Sequence, residues 1–359
     1  MKLFISLACF LVSISMYSQS GQLTNKKLIQ YFNDINKAEY KIIENNFTEA
    51  EKLYKKAFGE NKEPHAKDLY NSLKVNLKLK NYDEAFQRYQ SLKCLEYQFE
   101  PQFYDENFSF YKPEGQIKCS NKIDLAYKNE LDSLLTIDQY YRKLSGGDYA
   151  KYKKQITESD SLTSTRLLKL IRKKGFPNEY NIGLASNESS FFHKFYLIIW
   201  HQLATNLYSP QRVNFSNEII KALNKGKITP DDAAFLMDLN NGTNNYSAKH
   251  FEINQFIFAD APADKTFEQV EKSLQNADCC YVHEWFFPEK RDEKAKKMVT
   301  EINGKRKKIG MATLDENLRK KVYRLDNKDF EFAEAGITGY NFKDPSQADF
   351  LKKHFIKIK

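Results

Sequence analysis

The stretch NNFTEAEKLYKKAF, residues 45–58, returns in altered form as KNYDEAFQRYQSL, residues 80–92. An aromatic residue, an alanine and a second aromatic residue recur with an offset of thirty-five positions, as Phe47, Ala50 and Tyr54, then Tyr82, Ala85 and Tyr89. These positions share one face of a helix, where a small side chain lets a partner helix approach closely. Self-similarity at this period is typical of stacked helical hairpins. The stretch therefore predicts paired helices.

With this period and pattern, residues 28–98 resemble a pair of tetratricopeptide repeats. In the first helix of each unit, Ala38 fits the small position of the repeat, whereas its counterpart Leu73 does not. The alternative is an ordinary pair of helical hairpins with 3.6-residue periodicity. Because two repeats alone seldom bury a stable core, we expect them to dock against the later part of the chain.

The N-terminal residues MKLFISLACFLVSISMYSQS have the layout of a secretory signal peptide, which we assign to residues 1–18, with cleavage after Ser18 or Ser20. Their apolar stretch, residues 3–12, is shorter than the ~20 residues that a membrane-spanning helix needs. No later stretch is long enough either. We therefore expect an exported protein, periplasmic or extracellular, without a membrane span.

Four cysteines remain after this segment. An oxidising compartment permits a disulfide between Cys94 and Cys119, although sequence alone does not decide connectivity. Cys279 and Cys280 are neighbours with His283 close by, but no second pair stands at zinc-binding spacing. We expect these two to be structural or free thiols.

The basic charge is concentrated in one region. Of a formal net charge of +9, residues 289–324 supply thirteen Lys and Arg against six Asp and Glu. In a cytosolic protein such a region would suggest nucleic acid as a partner. Export and the interspersed acids instead favour a solvated helical face, and we expect no nucleic-acid partner.

The remaining organisation is predicted from periodicity. Residues 99–127 contain prolines and aromatic residues without a period and are predicted to be a linker. Helical patterns return over residues 128–325, and residues 326–359 form a C-terminal tail. Only FEINQFIF, residues 251–258, has the character of a strand. The predicted fold class is all-α, with a short repeat array packed on a second multi-helix domain.

The second domain resembles an uncharacterised bacterial helical domain family, a domain of unknown function, over about residues 128–315. The resemblance rests on the order of LDSLLTIDQYYR, SDSLTSTRLLKLIRKKGFP, YLIIWHQ, ITPDDAAFLMDL and INGKRKKIGMATL. The polar positions that stand out in that family match Asp138, Gln139, Arg142, Asp160, His201 and Asp238. Where the family usually carries Gln, Arg and a Tyr-Gly pair, this chain has Trp200, Leu239 and Tyr246-Ser247. The resemblance implies a fold but no activity.

Helical spacing independently turns several of these groups inward. Asp138 and Asp160 share the apolar faces of their predicted helices, and His201 lies on a helix that is apolar on most sides. Asp238 lies near the C-terminus of its helix, where the helix dipole disfavours a carboxylate. Buried charges need partners, so we expect His201 to lie within hydrogen-bonding reach of one of these acids, with Arg142 balancing charge.

Such a cluster permits three interpretations: a general acid–base site, a metal site with carboxylate and imidazole ligands, or a buried structural network. The sequence leaves any cofactor or metal undetermined. His193 precedes His201 by eight residues, about 80° away around a helix, so the two are not expected to chelate together or to share the cluster.

Two functions remain open from the sequence. The first is an exported module that binds a protein or peptide partner through its repeats. The alternative is an envelope enzyme, of the hydrolase kind, with His201, Asp138, Asp160, Asp238 and Arg142 as candidate catalytic residues. A cleft that reaches His201 would favour the enzyme, and an open concave repeat surface would favour the binding module.

Overall fold

A computed structural model describes residues 21–111, 117–120, 122–184, 191–204, 213–248, 251–258, 277–332, 336–342 and 345–359. The expected signal peptide lies outside the described residues. Within them the chain is mostly helical and carries one small sheet. None of the helices described here combines the length and apolar character that crossing a membrane requires.

The N-terminal part of the described chain, residues 26–94, consists of two consecutive helical hairpins and is called the repeat unit below. Helix α1 (Lys26–Ile43) packs against α2 (Phe47–Glu60), and α3 (Ala66–Lys78) packs against α4 (Tyr82–Cys94). The two hairpins turn in the same way, because the residue before each second-helix cap, Asn45 or Lys80, has positive φ (56° and 58°). The caps that follow are both asparagines, so the turns repeat at the period seen in the sequence.

Burial confirms the predicted role of the repeated small residues. Ala50 and Ala85 are both 0% exposed, and the aromatic side chains of Tyr54 and Tyr89 are buried beside them. In each hairpin the alanine and the tyrosine, one helical turn apart, line the buried side of the second helix. The pattern therefore predicted the packed face of both hairpins.

The second part of the chain continues with helices. They are α5 (Phe103–Phe108), α6 (Leu125–Ser145), α7 (Lys153–Lys174), α8 (Glu179–Ile182), α9 (Tyr196–Ala204), α10 (Ser216–Asn224), α11 (Pro230–Asn241), α12 (Glu293–Lys308) and α13 (Leu314–Asp326). The apolar helix α9 lies centrally, in contact with α6, α7 and α11. Helix α7 ends at Gly175, whose φ of 87° suits glycine.

A four-stranded mixed sheet corrects the expectation of an all-α fold. Its strands are β1 (Phe251–Phe258), β2 (Asp278–His283), β3 (Gly336–Phe342) and β4 (Phe355–Lys357), in the order β3-β1-β2-β4. Strand β1 runs parallel to β3 and antiparallel to β2, which is antiparallel to β4. Helix α14 (Pro345–Lys352) connects β3 to β4. Only β1 showed a local strand pattern, because the others depend on distant partners.

The cysteines form two disulfides. Cys94 and Cys119 are bonded, with their Cα atoms 5.3 Å apart, so the bridge that an oxidising compartment permits links α4 to the following segment. The neighbours Cys279 and Cys280 are bonded to each other, so the expectation of free thiols at these positions is wrong. Their adjacency brings the two sulfur atoms within bonding reach inside β2.

Seven of the thirteen basic residues of region 289–324 are exposed, in line with the expected solvated face, whereas two neighbouring lysines are buried. Lys320 and Lys321, on α13, are 3% and 2% exposed. Lys320 pairs with Glu39 of α1, and the Nζ atom of Lys321 lies 2.7 Å from a carboxylate oxygen of Glu252 in β1. Helix α13 thus joins the repeat unit to the sheet.

Replacing Ala85 by leucine should lower the free energy of unfolding by about 1–3 kcal/mol, because the added methylene groups overpack the contact between α3 and α4. Urea unfolding followed by circular dichroism measures the change. Gln87→Leu, at an exposed position of the same helix, is the matched control and should change stability little. Equal effects of the two variants would contradict the assigned packing.

Replacing both Cys94 and Cys119 by serine should lower the free energy of unfolding by about 3 kcal/mol, since the bridge closes a loop with a sequence separation of 25. Thermal unfolding of the oxidised wild type against the double variant measures this effect. If the variant matched the wild type in stability, the bridge would not constrain the unfolded chain.

Candidate functional site

Three helices bring four of the five predicted residues together. Asp138 and Arg142 lie one turn apart on α6, Asp160 lies on α7, and His201 lies on the central helix α9. Both carboxylates are buried, as the helical periodicity predicted. Each acid lies on the apolar face of its helix, α6 or α7, and this face packs inward.

The imidazole of His201 is paired with Asp138. Its Nδ1 atom lies 2.7 Å from Oδ2 of the acid, which confirms the expected contact. The carboxylate side chain is 0% exposed, whereas the imidazole side chain is 19% exposed. An ionised carboxylate only accepts hydrogen bonds, so Nδ1 carries the proton and donates it. The contact therefore favours the tautomer with the proton on Nδ1.

Asp138 also accepts a hydrogen bond from the next residue of its own helix. Gln139 donates from Nε2 to the same Oδ2 atom at 2.7 Å. The second oxygen, Oδ1, is buried and has no hydrogen-bond partner among the described residues. The carboxylate therefore directs its strongest contacts toward the side on which His201 lies.

Arg142 supplies the positive charge beside the acids. Its Nη1 and Nη2 atoms donate to the two carboxylate oxygens of Asp160 at 2.7 and 2.9 Å, and Nη1 also donates to the backbone carbonyl of Asp138 at 2.8 Å. Burial opposes its charge, but the hydrogen bond with Asp160 and the charges of both acids outweigh this effect and raise the pKa of Arg142. The guanidinium is thereby fixed in place.

Asp138, Asp160 and His201 also have the donor set of a divalent-metal site, with one ligand atom from each lying within 4.8 Å of the others. Both oxygens of Asp160 are already held by the guanidinium of Arg142, which would repel a second cation. Two carboxylates and one guanidinium leave a single negative charge, less than an unpaired pair of carboxylates would offer a divalent ion. The arrangement suits proton exchange better than metal binding.

Asp238 does not join this cluster. Its Oδ1 accepts hydrogen bonds from Thr243 Oγ1 and the backbone N–H of Asn245 at 2.8 and 2.7 Å, and its Oδ2 accepts one from the N–H of Tyr246 at 2.9 Å. Burial raises the pKa of Asp238, although these donors counteract the effect. The acid holds the turn after α11, so its inward orientation has a local, structural cause.

Two polar residues beside the cluster were missed at the sequence level. Ser164 donates from Oγ to the side-chain oxygen of Gln202 at 2.7 Å, which links α7 to α9. Ser164 lies four residues after Asp160, and Gln202 follows His201 directly. Helical spacing from the acid was therefore the one signal that could have revealed this contact.

A second buried cluster lies where the repeat unit meets the second part of the chain. Glu179 of α8 accepts a hydrogen bond from the backbone N–H of Ala66 at 3.0 Å, and His65 Nδ1 lies 3.1 Å from the same Oε1 atom. His193 Nε2 lies 3.6 Å from Oε2. As expected, His193 is not paired with the acids of the first cluster. No local pattern connects His65 with Glu179, which are 114 positions apart.

The electrostatics of this second cluster are strongly coupled. Burial would raise the pKa of Glu179, but the hydrogen bonds and charges of His193 and His65 outweigh it and hold the pKa well below its ordinary value. Burial would lower the pKa of His65, yet Glu179 outweighs this effect and raises it. The charges of this cluster therefore hold the repeat unit against the second part of the chain.

Comparison with known proteins adds no family to this description. No protein-family model matches the chain, no curated protein matches it, and no solved structure matches it. The chemistry of the cluster centred on His201 therefore has to be argued from its own side chains.

Arg142→Met should lower the free energy of unfolding by about 3–5 kcal/mol, because it removes the guanidinium that binds both oxygens of the buried Asp160 carboxylate. The double variant Arg142→Met, Asp160→Leu should recover most of this loss, since it also removes the buried carboxylate. Urea unfolding of the wild type, both single variants and the double variant gives the coupling energy. Additive effects would contradict the ion pair.

Thermal stability should depend on pH through the second cluster. The depressed pKa of Glu179 contributes stability above its unfolded pKa of about 4.3, and this contribution is lost as pH falls toward the folded pKa. The raised pKa of His65 contributes stability below about pH 6.5, and this contribution is lost as pH rises through the folded pKa.

Melting temperatures measured between about pH 3 and pH 9 test both limbs. Glu179→Gln should flatten the acid limb and weaken the alkaline one, because the carboxylate is common to both. Glu293→Gln, whose side chain is 90% exposed in the wild type, is the control and should keep the wild-type profile. A profile unchanged in Glu179→Gln would rule out this origin of the pH dependence.

Proposed function

We propose that this protein is an acid–base enzyme, a hydrolase in its simplest form, with His201 as the proton-transfer group. One observation carries the proposal: the partly exposed imidazole of His201 lies with Nδ1 2.7 Å from a carboxylate oxygen of Asp138, whose side chain is fully buried. A partly exposed histidine whose Nδ1 is held by a buried acid is an arrangement that general acid–base catalysis uses.

The proposed mechanism assigns separate tasks to the two residues. Asp138 fixes the tautomer of the ring with the proton on Nδ1 and stabilises the imidazolium that forms during the reaction. His201 Nε2 takes a proton from a water molecule as that water attacks the substrate. The same nitrogen then returns the proton to the leaving group. Proton transfer by such a group contributes about 10²–10⁴-fold to a rate.

Arg142 and Asp160 act as positioning residues in this proposal. The guanidinium is bonded to both oxygens of Asp160, and its Nη1 atom lies 3.6 Å from Oδ2 of Asp138. Its charge therefore lies beside the carboxylate oxygen that orients His201. Gln139 supports the same oxygen from the adjacent position on α6.

The setting of this enzyme is also proposed. The signal-like residues 1–18 support export to the periplasm or the outside of the cell. The contacts of α9 with α6, α7 and α11 support placing these helices in one catalytic unit. The repeated turns and buried alanines support a tetratricopeptide-like origin for the N-terminal hairpins.

A second candidate function is the binding of a protein or peptide partner by these hairpins. The observation that favours it is a short segment of the chain itself, residues 329–332, which lies against α2 and α3 through specific side-chain contacts. The hairpins can thus hold an irregular peptide segment. In the folded chain this surface is already covered.

The test of the enzyme proposal is hydrolysis of chromogenic esters, phosphoesters, glycosides and peptide anilides by the purified protein. His201→Gln should lower kcat/KM by about 100-fold or more, because it removes the proton acceptor. Asp138→Asn should lower kcat, because the amide can donate to Nδ1 and favour the wrong tautomer.

His354→Gln is the matched control, since that imidazole is exposed and lies 3.2 Å from a carboxylate oxygen of Glu284, away from the cluster. It should retain the activity of the wild type. Nitrogen-15 NMR of the His201 ring gives a readout that needs no substrate, and should show the proton on Nδ1. A ring protonated on Nε2 at neutral pH, or activity retained by His201→Gln, would refute the proposal.

A further inference from the structure

Residues 329–332, Asp-Phe-Glu-Phe, leave the end of α13 and lie on the repeat unit without forming helix or strand. The rings of Phe330 and Phe332 are 0% and 3% exposed and stack on each other with centroids 6.2 Å apart. Glu331, between them, turns away and pairs with Arg324 at 2.7 Å. The two phenylalanine rings therefore lie on one side of the segment, and the side chain of Glu331 lies on the other.

Asn71 of α3 holds the backbone of this segment. Its Nδ2 atom donates to the carbonyl oxygen of Glu331 at 2.6 Å, and its Oδ1 atom accepts from the N–H of the same residue at 2.7 Å. The asparagine is 0% exposed. Because both bonds go to the backbone, they recognise the path of the chain rather than the identity of residue 331.

The rest of the surface contacts the neighbouring side chains. Phe47, at the start of α2, stacks on Phe330 with centroids 6.0 Å apart. Lys78 of α3 lies 6.0 Å from the centre of the same ring and pairs with the carboxylate of Asp329 at 2.6 Å. The hydrogen bond with Lys78 lowers the pKa of Asp329, which keeps this acid charged.

We propose that the repeat surface formed by Phe47, Asn71 and Lys78 is a binding site for segments of the pattern Asp-Phe-x-Phe, and that the chain occupies this site with its own residues 329–332. The three side chains match the aromatic ring, the backbone and the acid of such a segment. A partner that carries the same pattern binds when the internal segment is released. The occupant is a peptide, not a folded surface, because the contacts follow four consecutive residues.

Self-occupation sets how strongly a partner must compete. The internal segment is tethered to α13, so it meets the site at an effective concentration in the millimolar range. A free peptide of the same sequence therefore binds the wild type poorly. It should bind well once the two internal phenylalanines are removed, because the site is then empty while the surrounding chain remains in place.

The experiment measures fluorescence anisotropy of a labelled peptide, DNKDFEF, titrated with the full chain. The variant Phe330→Ala, Phe332→Ala should bind the peptide at least about tenfold more tightly than the wild type, because the tethered competitor is lost. Adding Asn71→Ala to this variant should weaken binding by about tenfold, because two hydrogen bonds to the peptide backbone are lost. The peptide DNKDAEA is the control and should not bind.

Lys78→Ala in the emptied variant should reduce binding and remove its dependence on salt, since the lysine contacts the acid of the peptide. Adding the peptide should also raise the melting temperature of the emptied variant but not that of the wild type. A folded emptied variant that fails to bind DNKDFEF, or binds DNKDAEA equally well, overturns the proposal.

The wild-type chain provides a second measurement that does not depend on the folding of the variant. Hydrogen exchange of the Glu331 amide, which is bonded to Asn71, should become faster in the presence of excess DNKDFEF, because the peptide displaces the internal segment. Exchange that is unchanged at millimolar peptide would show that the site does not accept a segment from outside.

Discussion

The placement of α13 depends on two buried ion pairs that join it to different parts of the chain. Lys320 reaches back to Glu39 in the repeat unit, and its neighbour Lys321 reaches Glu252 in the first strand of the sheet. A buried ammonium group without its acid costs several kcal/mol, so neither contact can be given up without moving the helix. This requirement brings distant parts of the chain together and sets where the segment after α13 begins.

The position of α13 also fixes the path of the chain beyond it. The chain that leaves α13 passes over α2 and α3, where Asn71 holds its backbone, before it enters β3. Strand β3 then pairs with β1, whose Glu252 is the acid that holds Lys321. The repeat unit, the sheet and the segment between α13 and β3 therefore contact one another in a closed series. Residues 329–332 cover the surface formed by Phe47, Asn71 and Lys78.

The two histidine clusters differ in how far their imidazoles are enclosed. In the cluster around Glu179 the side chains of His65 and His193 are 4% and 9% exposed, and both are directed at one enclosed carboxylate. In the cluster around Asp138 the acid is enclosed, but the imidazole of His201 reaches 19% exposure. Proton exchange with a substrate requires an imidazole that is accessible from outside. The catalytic role is therefore proposed for His201, and a structural role for the residues around Glu179.

Local sequence was sufficient for the features that depend on neighbours three or four residues away. Helical periodicity predicted the buried alanines at positions 50 and 85 and the inward orientation of Asp138 and Asp160, because one helix face repeats every 3.6 residues. The contact of His201 with an acid was predicted from the cost of burying an imidazole unpaired. Periodicity indicates which side chains turn inward, not which partners they meet.

The partners themselves emerged from the packing of the whole chain. Strands β2 and β3 carry little alternation of their own and pair with β1, and β4 in turn pairs with β2. The parallel pairing of β1 with β3 joins segments about eighty-five residues apart. Asp238 is turned inward as predicted, but it accepts hydrogen bonds from the turn after its own helix. Glu179 instead contacts His65 and His193, which lie in two other parts of the chain. The physical reason is that a buried charge requires some partner, and which one it obtains depends on how whole helices pack rather than on local sequence.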